Sequence, residues 1–404
     1  MRTFFLTCTW ALLLFPCIVA QDLAQLSKTI DDNVPKVLPD DLGRKAVSQE
    51  LVDACNTVIE AANQIYALPD LEEQTRRRTV QREAVARIIL SYNGAPAHYA
   101  RLVALCDELN QWGNPNFAKL TEEHVLKIGM LLATQTGNNA INIDVHALAE
   151  RMVMFVEQHP GPGSMQIIDL FYRQVNSMKP HYRDRRLAVI APIFQDFYRR
   201  VNHAARADAL DADIRRATLQ DNTMLLYGVS IDGSVFNPAS LRDKVVLVQF
   251  WGTWCAPCKA EMPQLIDLYE KYRKDGFEII GINTNTSGDD EKKVRQFVDT
   301  TLFNGKKIPW RILHEGLSER QYPNRETVTK YYGITELPVL VLIGRDGKVR
   351  NLHPLPSTLD SLVAEATSLQ ARFDDWTEEE KKQMEENEKR RQEEIDLQLI
   401  QRRR

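Results

Sequence analysis

The chain has 404 residues, of which 44% are hydrophobic and 26% are charged, and its formal net charge is −4. This length allows two or three domains with cores of their own, and the composition is that of an ordinary folded protein. Because positive and negative charges nearly cancel, nothing in the overall composition indicates binding to nucleic acid or to an acidic membrane surface.

The first twenty residues, MRTFFLTCTWALLLFPCIVA, are typical of an export signal. Arg2 precedes an apolar run, and Ala20 is a small residue at a suitable cleavage point. The run is short for a membrane span, which needs about 20 apolar residues, so an uncleaved membrane anchor is the alternative. Cys17 would suit a lipoprotein, but Pro16 stands where a small residue is expected. We predict an exported protein, periplasmic or otherwise extracytoplasmic, in a compartment where disulfides persist.

Residues 21–217 are predicted to form an all-α domain. Apolar residues recur at three- and four-residue spacing in stretches such as AVSQELVDACNTVIEAANQIYAL, and turn sequences such as HPGPG separate these stretches. Short connections imply antiparallel helical hairpins, in a bundle or a repeat array. Cys55 and Cys106 lie in helical patterns, and either they pair or each is a small buried hydrophobic residue. The histidines are scattered, so we expect a scaffold or a partner-binding domain.

Residues 222–371 have a different sequence pattern from the helical region before them. MLLYGVSIDGSVFNPASLRDK contains an Asp-Gly turn between two short apolar runs, which predicts a hairpin. KVVLVQFWG and FEIIGINTN are typical of strands buried on both faces. A helix that ends at Gly276 separates them, and a helix capped by Asp289 or Asp290 follows. A short helix at NRETVTKYYG, a strand at LPVLVLIG, a strand at VRNLHP and a last helix complete a mixed sheet flanked by helices.

The final residues, 372–404, are predicted to form a charged, solvated helix. Acidic and basic side chains nearly balance, and pairs such as Glu385–Lys389 have the favourable i,i+4 orientation. This tail either has no role or docks a protein partner. The whole chain is therefore expected to be multidomain, with an all-α domain, an α/β domain and a charged tail.

Cys255 and Cys258 lie between the first predicted strand and the helix that follows it, in the sequence WCAPC. A structural zinc site usually needs four thiolate or imidazole ligands, and no second C-x-x-C or His pair is present, so we expect no metal. A structural disulfide across so small a loop would constrain the unfolded chain little. The remaining interpretation is a reversible dithiol–disulfide couple.

The two cysteines are expected to have different roles. Cys255 falls at the start of the helix, where unpaired backbone N–H groups and the positive end of the helix dipole stabilise a thiolate. Cys258 lies further into the helix and is more shielded. We predict that Cys255 attacks a substrate disulfide and that Cys258 resolves the mixed disulfide. Trp251 and Trp254 either cover the site or only pack against it.

The stretches VVLVQFWGTWCAPCKAEMPQL, FEIIGINTN and YGITELPVLVLIGRDGKV resemble the TlpA/ResA branch of thioredoxin-like thiol–disulfide oxidoreductases. The resemblance covers about residues 222–371 and implies a thioredoxin-like fold whose cis-proline, here Pro338, faces the disulfide. It implies that the backbone of Leu337 pairs with a substrate chain, and we place Trp254 in the same substrate-binding region. It also implies protein or small-molecule disulfides as substrates, no cofactor, and reduction with electrons from a membrane donor.

This sequence departs from the family pattern at two positions. Many relatives carry a buried carboxylate or an Asn where this chain has Gln249, and a Gln cannot accept a proton. Glu261 matches a family glutamate and is the predicted base or pKa modulator, unless it is an ordinary surface residue. Val339 follows Pro338 where many thioredoxins have Thr, which would alter substrate fit and not the chemistry.

Two other functional classes are alternatives to an oxidoreductase. An adaptor would use the helical domain to recruit partners, with the thioredoxin-like domain as a platform. A peroxiredoxin would need the pattern P-x-x-x-T-x-x-C, but Thr253 is only two residues before Cys255. An oxidoreductase is therefore the main hypothesis and the adaptor is the alternative.

Overall fold

The computed structural model describes residues 23–34, 47–92, 96–112, 115–135, 143–284 and 289–368. The predicted export signal, residues 1–20, and the predicted charged tail, residues 372–404, lie outside these ranges. Within the described ranges, no helix combines the length and the apolar character that a membrane crossing requires. The chain divides into two compact units, Met1–Met178 and Lys179–Arg404.

The described part of the first unit is helical, as predicted. Its helices are α1 (23–33), α2 (Gln49–Tyr66), α3 (Glu73–Tyr92), α4 (Pro96–Gln111), α5 (Pro115–Ala133), α6 (Val145–Gln158) and α7 (Pro162–Asn176). From α2 onward each helix contacts the next one along the chain. Ser48 and Asp144 begin α2 and α6 by accepting a backbone N–H with their side chains.

Cys55 and Cys106 are both free and fully buried, so the structure favours the second of the two alternatives. Cys55 belongs to the apolar core of α1, α2 and α3, where burial raises the pKa of its thiol to about 11. Cys106 donates to Glu122 Oε2 across 3.0 Å, and Glu122 is paired with Arg151. Burial also raises the pKa of Cys106, so both thiols are protonated and unreactive at neutral pH.

The second unit begins with three helices and continues into a sheet with its flanking helices. Its elements are α8 (Pro180–Arg200), α9 (Ala204–Ala209), α10 (Asp211–Ala217), β1 (Val245–Trp251), α11 (Ala256–Tyr272), β2 (Phe277–Asn283), α12 (Glu291–Thr300), β3 (Arg311–His314), α13 (Glu315–Gln321), α14 (Val328–Tyr331), β4 (Val339–Ile343), β5 (Val349–Leu352) and α15 (Pro356–Ser368).

The five strands form one mixed sheet in the order β3-β2-β1-β4-β5. β1 pairs with β2 and β2 with β3 in parallel, whereas β4 is antiparallel to both β1 and β5. Every residue of β1 is buried, because α11, α12 and α15 cover one face of the sheet and α14 with the segment around 219–236 covers the other. This arrangement confirms the predicted fold class.

Several details differ from the sequence-based expectation. The predicted hairpin at Asp232 forms but is short, with Val229 bridged to Val235 and backbone hydrogen bonds on either side of the turn. The strand β3 and the helix α13 were not predicted, because each is short and carries no clear periodicity. Of the two candidate caps of α12, Asp290 is the one that accepts the N–H of Lys293.

The division between the compact units also differs from the expected domain boundary. The sequence placed residues up to 217 in the helical domain, but α8, α9 and α10 belong to the second unit. The contacts of α10 explain this difference. Arg215 and Arg216 donate hydrogen bonds to the backbone carbonyls of residues 331–333, which lead into β4.

Candidate redox site

Cys255 and Cys258 form a disulfide at the junction of β1 and α11, with their Cα atoms 5.3 Å apart. Cys255 is the N-cap residue of α11, and its Sγ accepts the backbone N–H of Cys258 across 3.2 Å. Cys255 is 3% exposed, whereas Cys258 is fully buried. The sulfur of Cys255 therefore lies where helix N–H groups converge, and Cys255 is the slightly more exposed residue of the two.

Pro338 lies at the same end of the sheet as the disulfide. The register of β4 against β1 pairs Val339 with Phe250, one residue before the end of β1. Pro338 directly precedes Val339, so the chain enters the sheet beside the loop that leads to Cys255. The Leu337–Pro338 peptide bond is cis, as the family resemblance implied, and both residues are half-buried.

The two tryptophans near the disulfide have different surroundings. Trp251 is fully buried in the core beneath α11, so it is a packing residue. Trp254 is 43% exposed, and its indole lies against the backbone of Gly252. A Cβ atom added at Gly252 would come within 2.8 Å of the indole Nε1, so a larger residue there would displace the ring. Of the two, only Trp254 offers a surface to a bound molecule.

Gln249 is fully buried in the middle of β1, on the face that α11 covers. Its amide nitrogen lies 3.9 Å from Met262 Sδ of α11, which is a weak contact. Its Oε1 atom is buried and has no hydrogen-bond partner in the part of the chain that the structure describes. An amide does not titrate, so this side chain supplies polarity to the core without a proton site.

Glu261 lies on α11, three residues after Cys258, and is partly buried. Burial raises the pKa of its carboxyl group to about 7. Its Oε2 atom is buried, and no donor in the described ranges hydrogen-bonds to it, so the charged form is poorly compensated. A carboxyl group with a pKa near neutrality exchanges protons readily at physiological pH, which an ordinary surface glutamate would not do.

The sequence indicates Asp289 only as a possible helix cap, but in the structure it holds the loop that precedes Cys255. Its buried carboxylate accepts the backbone N–H of Thr253 across 2.6 Å and also the Thr253 hydroxyl. Asn283 donates to the same carboxylate across 3.1 Å, and Lys293 lies 3.0 Å away. Burial alone would raise the pKa of Asp289, but these donors lower it below its ordinary value.

His314 extends this network at the end of β3. Its Nε2 atom lies 3.1 Å from the backbone carbonyl of Asp289, and its Nδ1 accepts the N–H of Leu317 as the cap of α13. Burial lowers the pKa of His314, so the ring is neutral, with the proton on Nε2. In the sequence, the one sign of this network is Asp289 itself, which lies next to Asp290 at the start of a predicted helix.

Among the described residues, no group of three or more His, Cys, Asp or Glu side chains is arranged to hold a metal ion. Near the start of α11, the described residues instead provide a disulfide, the carboxyl group of Glu261 with its raised pKa, and the buried ionised carboxylate of Asp289.

Residues 243–349 match a family model described as thioredoxin-like. The thiol-disulfide oxidoreductase ResA of Halalkalibacterium halodurans is 34% identical over 143 residues, which cover 35% of this chain and 71% of that protein. This chain belongs to the ResA family of thiol-disulfide oxidoreductases. ResA of Bacillus thuringiensis is also 34% identical, over 119 residues that cover 30% of this chain and 60% of that protein.

Solved structures similar to this chain include the thioredoxin domain of a thiol-disulfide oxidoreductase from Bacteroides vulgatus, which is 22% identical and superposes with a TM-score of 0.30. The matched region covers 36% of this chain and 96% of that domain. As a ResA family member the chain is an oxidoreductase of the thioredoxin-like class. The residues matched by the family model contain the disulfide, Glu261 and Pro338, whereas α1–α10 precede them.

Proposed function

We propose that this protein is an exported thiol–disulfide oxidoreductase that works through the Cys255–Cys258 couple. The observation that carries the proposal is the disulfide at the start of α11, with one sulfur at the N-cap and the other fully buried. This asymmetry suits an attacking and a resolving thiol. Membership of the ResA family supports an enzyme, and nothing in the relatives favours the adaptor alternative.

In the reductive direction the reaction begins with both cysteines reduced. The Cys255 thiolate attacks one sulfur of the substrate disulfide, so that a mixed disulfide forms and the other substrate sulfur leaves as a thiolate. Cys258 then loses its proton and attacks Cys255 Sγ, which releases the second substrate thiolate. Two electrons pass to the substrate, and the protein is left with the Cys255–Cys258 disulfide.

Glu261 is the proposed proton carrier for these steps. Because burial raises the pKa of its carboxyl group to about 7, it can accept the Cys258 proton and return one to a leaving thiolate at neutral pH. Gln249, in the position of the family's buried acid, cannot replace it. Proton transfer therefore rests on one carboxyl group of α11.

Substrate binding is assigned to the surface beside the disulfide. The backbone of Leu337 would pair with an extended segment of the substrate, as the family resemblance implies, with Pro338 beside it. Trp254, with its exposed indole, would pack against the side chains of that segment. This arrangement favours protein disulfides, whose main chain can form the backbone pairing.

The proposal also covers export, the direction of electron flow and the electron donor. The sequence of residues 1–20 supports export, and the family resemblance supports reduction of substrates with electrons from a membrane donor. The reduction potential of the couple tests the direction. A value of about −270 mV supports a reductase, and a value of about −120 mV indicates a disulfide donor instead.

Turnover of a protein disulfide tests the function itself. We expect the purified protein, with dithiothreitol as electron source, to reduce insulin faster than dithiothreitol alone. The variants Cys255→Ser and Cys258→Ser should each lose this activity. A wild-type protein that leaves insulin at the background rate would overturn the proposal.

A further inference from the structure

A cluster of buried charges joins α8 and α10 to the segment that leads into β4. At its centre lies Asp184 of α8, which is 3% exposed. Its carboxylate accepts from Arg216 Nε across 3.1 and 3.2 Å and from Arg183 Nε across 3.2 Å, and it lies 2.7 Å from His353 Nε2. These contacts bring down the pKa of Asp184 against the effect of burial, so the carboxylate is ionised.

Arginines from α8 and α10 hold the segment 331–336 at successive points. Arg215 donates to the carbonyl of Tyr331 across 2.7 Å, and Arg216 donates to the carbonyls of Tyr332 and Gly333 across 3.0 and 2.7 Å. These carbonyls lie at the end of α14 and directly after it, where the helix offers them no partners of its own. The segment is therefore anchored by side chains that come from another part of the unit.

The last of these anchors lies next to the proposed substrate-binding residues. Arg183 Nη1 donates to Glu336 Oε1 across 2.9 Å, while its Nε holds Asp184. The Arg183 side chain is 6% exposed, so its guanidinium is fixed between a buried carboxylate and a surface one. Glu336 is the residue directly before Leu337. The ion pair thus fixes the chain at the point where it enters the substrate-binding backbone.

We propose that Arg183 is a positioning residue for substrate binding, which through Glu336 holds the backbone of Leu337 ready to pair with a substrate chain. The proposal rests on the proposed function, and it extends the substrate-binding apparatus to α8, which lies outside the family match at 243–349. A partly exposed ion pair adds little to stability. Its effect here is preorganisation, because a loop that is already ordered need not be ordered by the substrate.

The test compares Arg183→Met with three other variants of the full chain. Glu336→Ala removes the other half of the pair at an exposed position, so folding is not at risk. Arg183→Lys restores the charge and should recover part of the effect. Arg185→Met makes the same chemical change at an exposed position of α8, two residues away, and serves as the matched control.

We expect Arg183→Met and Glu336→Ala to raise the KM for insulin about five- to tenfold while kcat changes less than about twofold. The double variant should have no larger effect than Arg183→Met alone, because both act through one contact. Turnover of hydroxyethyl disulfide, which has no peptide backbone, should be unchanged in all variants. A KM for insulin that stays within twofold of wild type in both single variants, or additive effects in the double variant, would overturn the proposal.

Hydrogen exchange of the backbone amides in peptides that cover 334–340 gives a readout that does not depend on activity. Exchange should be about fivefold faster in Arg183→Met and Glu336→Ala than in wild type and Arg185→Met. Equal exchange in all four proteins would show that the pair does not position the loop. If the exchange changes as expected but the wild type reduces no disulfide, the positioning stands and the proposed function fails.

Discussion

The two sulfurs of the disulfide differ in their surroundings, and a carboxyl group with a raised pKa lies on the same helix. Cys255 is at the N-cap of α11, Cys258 is fully buried one turn further on, and Glu261 follows after three more residues. The buried thiol needs a proton acceptor if it is to attack Cys255, and bulk water has little access to it. The raised pKa of Glu261 suits that task.

Glu261→Gln is expected to change both stability and the pH profile of activity. The folded-state pKa of about 7 lies above the ordinary value of 4.5, so the folded protein binds more protons than the unfolded chain between these pH values. Wild-type stability should therefore fall as pH rises from about 4.5 to 7. Denaturant unfolding at pH 8 should show the variant about 1–2 kcal/mol more stable, after allowance for solvent screening, and no difference below about pH 4.

The same variant should lose the inflection near pH 7 in the rate of insulin reduction. Gln249→Leu is the control, because it alters a buried polar side chain that packs against α11 without removing a titrating group. It should retain the inflection, with stability unchanged or raised by about 1 kcal/mol. An inflection that survives in Glu261→Gln would exclude the carboxyl group as the proton carrier.

At the scale of elements, the position of the loop before Cys255 depends on a carboxylate between β2 and α12. Asp289 is fully buried, and its carboxylate accepts hydrogen bonds from the backbone N–H and the hydroxyl of Thr253 and from the amide of Asn283. Because the donors lie in the loop after β1 and at the end of β2, this one side chain ties the redox loop to the carboxyl ends of two inner strands.

Asp289→Asn is expected to cost about 2–3 kcal/mol of stability at pH 7, because hydrogen bonds to an ionised acceptor are lost. The lowered pKa of Asp289 means that its contribution is complete above the unfolded-state pKa near 4 and is lost as pH falls further. The difference between wild type and variant in urea unfolding should therefore shrink below about pH 4.

The neighbouring variant Asp290→Asn is the matched control for this measurement. Asp290 caps α12, and Asn is an equally good cap, so stability should change by less than about 0.5 kcal/mol. Equal effects of the two substitutions would contradict the special role of Asp289.

Much of the sheet could be predicted from the sequence because its central strands are continuous apolar runs. β1, β2 and β4 are buried on both faces, and such runs have few other interpretations. β3 has four residues and begins with the exposed Arg311, so its pattern is too short to recognise. The cysteines and Pro338 could be found because their motifs are local.

The contacts of Asp289 and Arg183 could not be predicted, because both act on distant parts of the chain. Asp289 holds Thr253 across 36 residues, and Arg183 reaches Glu336 across 153. Helical periodicity shows that α8 has an apolar face, but it does not show which part of the protein that face packs against. The sequence pattern therefore left α8, α9 and α10 with the helices before them.

At the scale of the whole molecule, the second compact unit should be the smallest stable form of the enzyme. A fragment of residues 179–404 should fold and reduce insulin at a rate close to that of the full chain. A fragment of residues 222–404 lacks Arg216, so the carbonyls of Tyr332 and Gly333 lose their donors, and His353 loses Asp184. Thermal and urea unfolding should show it less stable by at least about 3 kcal/mol. Equal stability of the two fragments would contradict this division.

The covalent intermediate gives the most direct test of the central claim, that Cys255 and Cys258 exchange disulfides with a substrate chain. Reduced Cys258→Ser is mixed with a disulfide-bonded peptide, and the intact mass of the protein is measured before and after dithiothreitol. We predict one peptide adduct, mapped to Cys255 and removed by dithiothreitol, and at most a tenth as much adduct on reduced Cys255→Ser. The absence of an adduct on Cys258→Ser, or equal adducts on both variants, would contradict the proposed mechanism.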